Sequence, residues 1–174
     1  MKSVNRRGNE PPSTEKRSPV SMNEWSTYIL VIEVGEQVEL GIRGRVVGVE
    51  PGLYLYVGSA KGRGGALPRI MRHISRVKKK RWHIDYLTME RGVNILGFFL
   101  IQSIRGDCES TLSRLLAMEY PYIPGFGSSD KPSDPSHLFI CRSGVLDCII
   151  GVYSIVEKAD CTGELVFVDN GALT

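Results

Sequence analysis

Arg69 and His73 stand four residues apart, as do Arg72 and Arg76. On a helix each pair shares a face, where guanidinium charge beside an imidazole could present cations to a phosphate. Both pairs lie in the most cationic stretch of the chain. Residues 61–85 hold nine basic residues (Lys61, Arg63, Arg69, Arg72, Arg76, Lys78, Lys79, Lys80 and Arg81) against the single acid Asp85, a local charge of +8. Residues 1–23 add +3 and the remainder carries −8, so the formal +3 of the whole chain conceals a basic segment on an acidic body. Such segregation points to an anionic partner, of which nucleic acid is the commonest. A merely solvated helix face would mix its signs.

The whole chain of 174 residues, 42% hydrophobic and 24% charged with 19 Gly, excludes a coiled coil, a collagen-like chain and full disorder. No apolar run approaches the roughly 18–20 residues of a membrane helix, and the start lacks the apolar core of a signal peptide. The expectation is a soluble cytoplasmic protein without a membrane partner. Cys108, Cys141, Cys148 and Cys161 form no C-x-x-C pair, which speaks against a zinc ribbon. Free thiols are the simplest expectation, with a disulfide left open.

The elements that must position these groups follow from patterning. Residues 1–23, with three prolines and little to bury, predict a disordered basic tail. Tyr28 to Val34 reads as a buried central strand, Val38 to Val49 as a glycine-interrupted hairpin, and Leu53 to Gly58 as the next strand. The glycine-rich loop from Gly58 to Gly65 leads into a helix whose apolar stripe is Leu67, Ile70, Ile74 and Val77, with Pro68 in its first turn. Trp82 to Met89 predicts a second helix, its aromatics leaving a strand open. Ile95 to Ser103 is an apolar strand, and Asp107 caps a third helix through Met118 with Leu112, Leu115 and Leu116 inward. Four prolines make 119–136 an irregular loop; His137 to Cys141 and Val145 to Val156 return to the core, and Glu164 to Val168 adds an edge strand. The expected class is α+β, a small, mainly antiparallel central sheet flanked by helices, in one domain over 24–174 with a hairpin insertion near 38–49 and a C-terminal extension after about 141.

Tyr56-Val57-Gly58-Ser59-Ala60 followed by Arg69-Ile70-Met71-Arg72-His73 resembles the second half of the GIY-YIG nuclease signature, a Y-[IV]-G strand end and a helix with R-x-x-x-H. Trp82-His83-Ile84-Asp85-Tyr86-Leu87, Cys108-Glu109, Phe126-Gly127-Ser128-Ser129-Asp130 and Ser136-His137-Leu138-Phe139 resemble the Uri-type branch of small prokaryotic proteins. The resemblance runs from about Ser26 to Cys141. Three departures stand out. The GIY glycine is a serine in Ser26-Thr27-Tyr28. The two motif tyrosines lie 28 residues apart, with the hairpin between them. Lys131 and Ser133 stand where relatives of this branch often carry cysteines. Gly52-Leu53-Tyr54 shares a strand with Tyr56, so the first motif tyrosine is assigned to Tyr28.

The resemblance implies phosphodiester hydrolysis with one divalent ion, Mg²⁺ or Mn²⁺. It assigns Glu109 to the metal, Arg69 to the scissile phosphate, His73 to positioning the water or a tyrosine, Tyr28 to the base side and Tyr56 to the water. Tyrosine ionises near pH 10, so a base role near neutrality needs help from its surroundings. Lys61, Arg63, Arg72, Arg76, Lys78, Lys79, Lys80 and Arg81 are expected on the nucleic-acid backbone, contacts that carry no sequence information. His83, Asp85, Ser129, Asp130 and His137 are expected to line the cleft, with Asp85 equally a partner of His73 or Arg69 or the acid of a structural salt bridge. The implied function is an endonuclease, DNA more than RNA, in repair, recombination or defence. A non-catalytic DNA- or RNA-binding module on the same scaffold is the alternative, and an accessory subunit with a protein partner a further one.

Overall fold

The computed structural model describes residues 25–61 and 64–173. The basic tail and Arg63 lie outside the described residues. Strands β1 (Trp25–Val34), β4 (Gly52–Ser59), β5 (Val93–Ser103), β6 (Leu138–Cys141) and β7 (Thr162–Asp169) form one antiparallel sheet in the order β6-β4-β1-β5-β7. Strands β2 (Val38–Ile42) and β3 (Arg45–Val49) make a separate two-stranded sheet. Helices α1 (Ala66–Ile74), α2 (His83–Thr88), α3 (Cys108–Glu119) and α4 (Val145–Lys158) complete the expected α+β architecture. Among the described residues no helix is long and apolar enough to cross a membrane.

Alternation along β1 explains the layering. Tyr28, Leu30 and Ile32 face a core shared with the hairpin (Leu40, Ile42), α1 (Ile70) and α2 (Ile84, Leu87). Ile29 and Val31 face a second core with α3 (Leu112, Leu116) and α4 (Val152, Ile155). A central strand covered on both faces has no polar face to show, hence its continuous apolar run. Residues 38–49 form a hairpin, set over the α1–α2 side instead of extending the main sheet. Its turn is Arg43-Gly44, with φ 48° and 77°, the positive pair of a two-residue hairpin turn.

Two expectations need correction. The apolar stripe does not reach Val77, because α1 ends at Ile74 and Val77 is exposed. Ser75 is already extended, and the Lys78 ammonium folds back to the last carbonyls, of Arg72 (3.0 Å) and His73 (2.8 Å). Nor are the cysteines free. Cys108 pairs with Cys161 and Cys141 with Cys148, with Cα atoms 5.4 and 6.1 Å apart, inside the span a disulfide bridges. The first pair ties the start of α3 to the turn before β7, and the second ties β6 to α4.

Candidate active site

Tyr28 on β1 lies opposite Gly58 on β4, so the Y-V-G glycine sits beneath the Tyr28 ring. A Cβ at 58 would overlap the end of that ring. The glycine is therefore required by a close approach, not by its backbone angles. Gly58→Ala should destabilise the domain by about 1–3 kcal/mol, as overpacking does, and displace the Tyr28 hydroxyl. A thermal melt with the His73 imidazole signal in NMR checks both, and an unchanged signal would count against this packing.

Around that pair, Tyr28, Tyr56, Arg69 and Glu109 line one polar cavity of about 180 Å³, together with Lys61, Trp82, Asp130 and His137. His73 stands one layer behind, almost wholly buried, its Nε2 2.9 Å from the Tyr28 hydroxyl. Tyr54, the rejected motif tyrosine, points its hydroxyl to the Glu50 carbonyl at 2.8 Å and does not line this cavity.

Arg69 is fixed at the wall by donating to the Ser59 carbonyl at 2.6 Å and by lying 5.3 Å over the Trp82 ring. Burial pushes the Tyr28 and Tyr56 phenols above their usual value; the Arg69 charge opposes this at both. Burial lowers the His73 imidazole, so it is neutral near pH 7. Its Nδ1 lies 3.6 Å from Asp85 Oδ1. A proton on Nδ1, toward that carboxylate, leaves Nε2 to accept from Tyr28.

Glu109 projects from the first turn of α3, whose N-cap Asp107 accepts from the Ser110 N–H. Its side chain is nearly buried and contacts the Lys131 ammonium, which also reaches both Asp107 oxygens at 2.9 and 3.1 Å. Burial acts to raise Asp107, but the Lys131 hydrogen bond and charge outweigh it and hold the carboxyl at about 2. His137 Nε2 is 3.1 Å from the buried Asp134, and its Nδ1 is 3.8 Å from Glu109. Lys131 is the residue that motif reasoning left without a role. Its signal was present: a cation stands after Ser-Ser-Asp where relatives of the resembled branch often carry thiols.

The remaining predicted residues divide. Asp130 and His137 line the cavity, and His83 and Ser129 line the adjoining groove. Asp85 does not line the cleft; it is fully buried in the first turn of α2 and forms a structural salt bridge, with Arg72 at 2.8 Å and not with Arg69. Three residues expected on the nucleic-acid backbone also tie neighbouring elements together, Arg76 while exposed. Arg72 also donates to the Lys79 carbonyl, Arg76 to the Glu90 and Val93 carbonyls, and Lys78 to Thr88 Oγ1 at 2.8 Å. Burial brings Lys78 down to about 8. Lys79, Lys80 and Arg81 stay exposed, and Lys61 lies at the cavity 3.6 Å from Asp107.

A single carboxylate with tyrosine hydroxyls and a histidine nearby suits a hard ion that keeps most of its waters. Among the described residues no group of three or more His, Cys, Asp or Glu is placed to cage a metal. A family model described as "Domain of unknown function DUF123" matches residues 27–158. No curated protein and no solved structure matches the chain.

Proposed function

The chain belongs to that family, and for its site we propose a divalent-metal-dependent endonuclease that hydrolyses nucleic acid phosphodiesters, DNA before RNA. The observation that carries the reading is the convergence of Tyr28, Tyr56, Arg69 and Glu109 on one cavity, with His73 on the Tyr28 hydroxyl. The GIY-YIG resemblance, Uri-type branch, supplies the reaction class and a setting in repair, recombination or defence.

Glu109 would hold Mg²⁺ or Mn²⁺, which when bound neutralises charge at the phosphate. Lys131 keeps Asp107 as a second anchor, so Glu109 is not its sole partner. Arg69, already oriented by Ser59 and Trp82, grips the non-bridging phosphate oxygens. Tyr28 donates its proton to His73 Nε2, and its oxygen lone pairs can accept a proton from the attacking water. A resting phenolate is disfavoured by burial, so the proton passes through the hydroxyl to the neutral imidazole. Tyr56 orients the same water.

Supercoiled, linear, single-stranded and branched DNA, and RNA, incubated with Mg²⁺ or Mn²⁺ test the reading; it expects cleavage that EDTA abolishes. Tyr28→Phe keeps the ring over Gly58 and should lower the single-turnover rate on the order of a hundredfold. Activity should also fall on the acid side, once pH drops below the lowered His73 value and the acceptor is already protonated. One observation favours the non-catalytic module as a second reading: Glu109 is already ion-paired. That reading expects tight, salt-sensitive binding with no cut in any substrate.

A further inference from the structure

Beside the cleft, the hairpin and the 123–129 loop enclose a groove of about 370 Å³, within the range of small-molecule sites, about 300–1,000 Å³. Its walls include Ile42 and Val47 from the hairpin and Ile123 and Phe126 from the loop, with Arg43 and Arg45 also lining it. The groove does not stand alone. A further cavity shares Arg43, His83 and Ser129 with it and Tyr56, Trp82, Gly127 and Asp130 with the catalytic cleft. Arg81 lies along that connection.

Two features mark this passage. Arg43 is the only described non-glycine residue with positive φ, at 48°. The hairpin turn sets that angle, and an arginine is an uncommon choice for it. Its guanidinium reaches across the groove to Ser129 Oγ at 3.1 Å. The second feature is His83. Its Nδ1 accepts the Gly127 N–H at 2.9 Å, so Nδ1 is bare and Nε2 carries the proton of the neutral ring. That Nε2 is buried and has no partner among the described residues, an orphan that calls for a missing acceptor. Burial, reinforced by Arg43, lowers the His83 pKa and keeps this donor state near neutrality.

We propose that the groove takes an unpaired nucleobase of the strand whose phosphate lies in the cleft, making single-stranded or frayed nucleic acid the preferred substrate. A base offers an apolar face for the Ile42, Val47 and Phe126 walls and ring acceptors for a histidine N–H, and its backbone would run past Arg43 and Arg81. Paired bases in a duplex have neither the free face nor the reach. This inference rests on the endonuclease reading for its substrate class, and it is tested by binding, which does not require a cut.

The test uses the full chain without added metal and a 12-nucleotide DNA carrying fluorescein and one 2-aminopurine, presented alone or as a blunt duplex. The single strand should bind roughly tenfold tighter than the duplex, the scale of one stacked base, with a change in 2-aminopurine emission. Arg43→Gly suits the positive φ and removes the guanidinium, whereas Val47→Phe fills the groove. Both should bring the two affinities within about twofold while leaving thermal stability unchanged, and Val47→Phe should also leave duplex binding unchanged. Equal affinities in the wild type, or a preference that survives both variants, overturn the groove assignment. Cleavage of blunt duplex without strand preference would sink it while sparing the nuclease reading. Strand preference without cleavage does the reverse.

Discussion

Glu109→Ala should lower cleavage by about a thousandfold, the upper range for removing one electrostatic stabiliser from a site, while leaving the fold intact. Both halves of that expectation come from the same contacts. Glu109 is the only carboxylate among the cavity-lining residues besides Asp130, and it alone stands on a rigid helix beside Tyr28, Tyr56 and Arg69. Removing it takes away the ligand proposed for the ion. It does not strand a buried cation, because the Lys131 ammonium retains both oxygens of Asp107. Stability should therefore change by less than about 1 kcal/mol, the scale of a partly exposed pair. Single-turnover cleavage, a thermal melt and Mn²⁺ binding by electron paramagnetic resonance separate the terms. Undiminished cleavage in the variant would rule out Glu109 as the metal residue, and unchanged Mn²⁺ binding would move the ion elsewhere.

The frame of this site was legible because it rests on local patterns. The β1 and β4 strands follow from short apolar runs bounded by turns, and placing Tyr28 and Tyr56 on adjacent strands excluded Tyr54, whose hydroxyl indeed points away to Glu50. Arg69 and His73 share α1 but serve different layers, one at the cavity and one behind it. Spacing alone cannot separate those depths. What escaped the sequence was long-range or made of backbone. A stripe of apolar residues continued on paper through Val77, but nothing local announces that Lys78 will turn back to cap α1. The cysteine pairs close loops of 53 and 7 residues with no spacing rule to reveal them. Charge counting is blind to internal partners for a related reason. Arg72, Arg76 and Lys78 tie the segment to itself through carbonyls and Asp85, acceptors that a charge tally does not see.

That buried carboxylate carries the largest expected effect on stability. Asp85 accepts from Arg72 and the Arg81 N–H at 2.8 Å and from the Trp82 N–H at 3.0 Å, with Lys78 3.8 Å away. It thereby closes the N-terminus of α2 onto α1. Asp85→Ala leaves two buried amide N–H groups without their acceptor and takes the carboxylate from the Arg72 guanidinium and the nearby Lys78 ammonium, which keep only carbonyl and hydroxyl partners. Breaking a buried pair from one side typically destabilises by about 3–5 kcal/mol, here a fall in Tm of roughly 10 °C at about 2–4 °C per kcal/mol. The pH dependence has a definite sign. Burial favours the neutral acid, but His73, the two amides and Arg72 outweigh it and hold the carboxyl at about 2, below its usual 3.8. The unfolded chain therefore binds the proton more readily. Asp85 contributes its stability above about pH 4 and loses it as pH falls toward 2, a term of about 2 kcal/mol. Asp85→Asn, which keeps an acceptor for the amides, should unfold less readily than the alanine variant and lack that acid-side decline. Equal Tm values for wild type and Asp85→Ala would show that the cations find other partners. At a temperature where Asp85→Asn is folded, its cleavage should still fall, because a carboxamide NH₂ toward His73 Nδ1 favours the tautomer whose Nε2 cannot accept from Tyr28. Phosphate binding through Arg69 should be retained, which separates lost proton acceptance from a collapsed cleft.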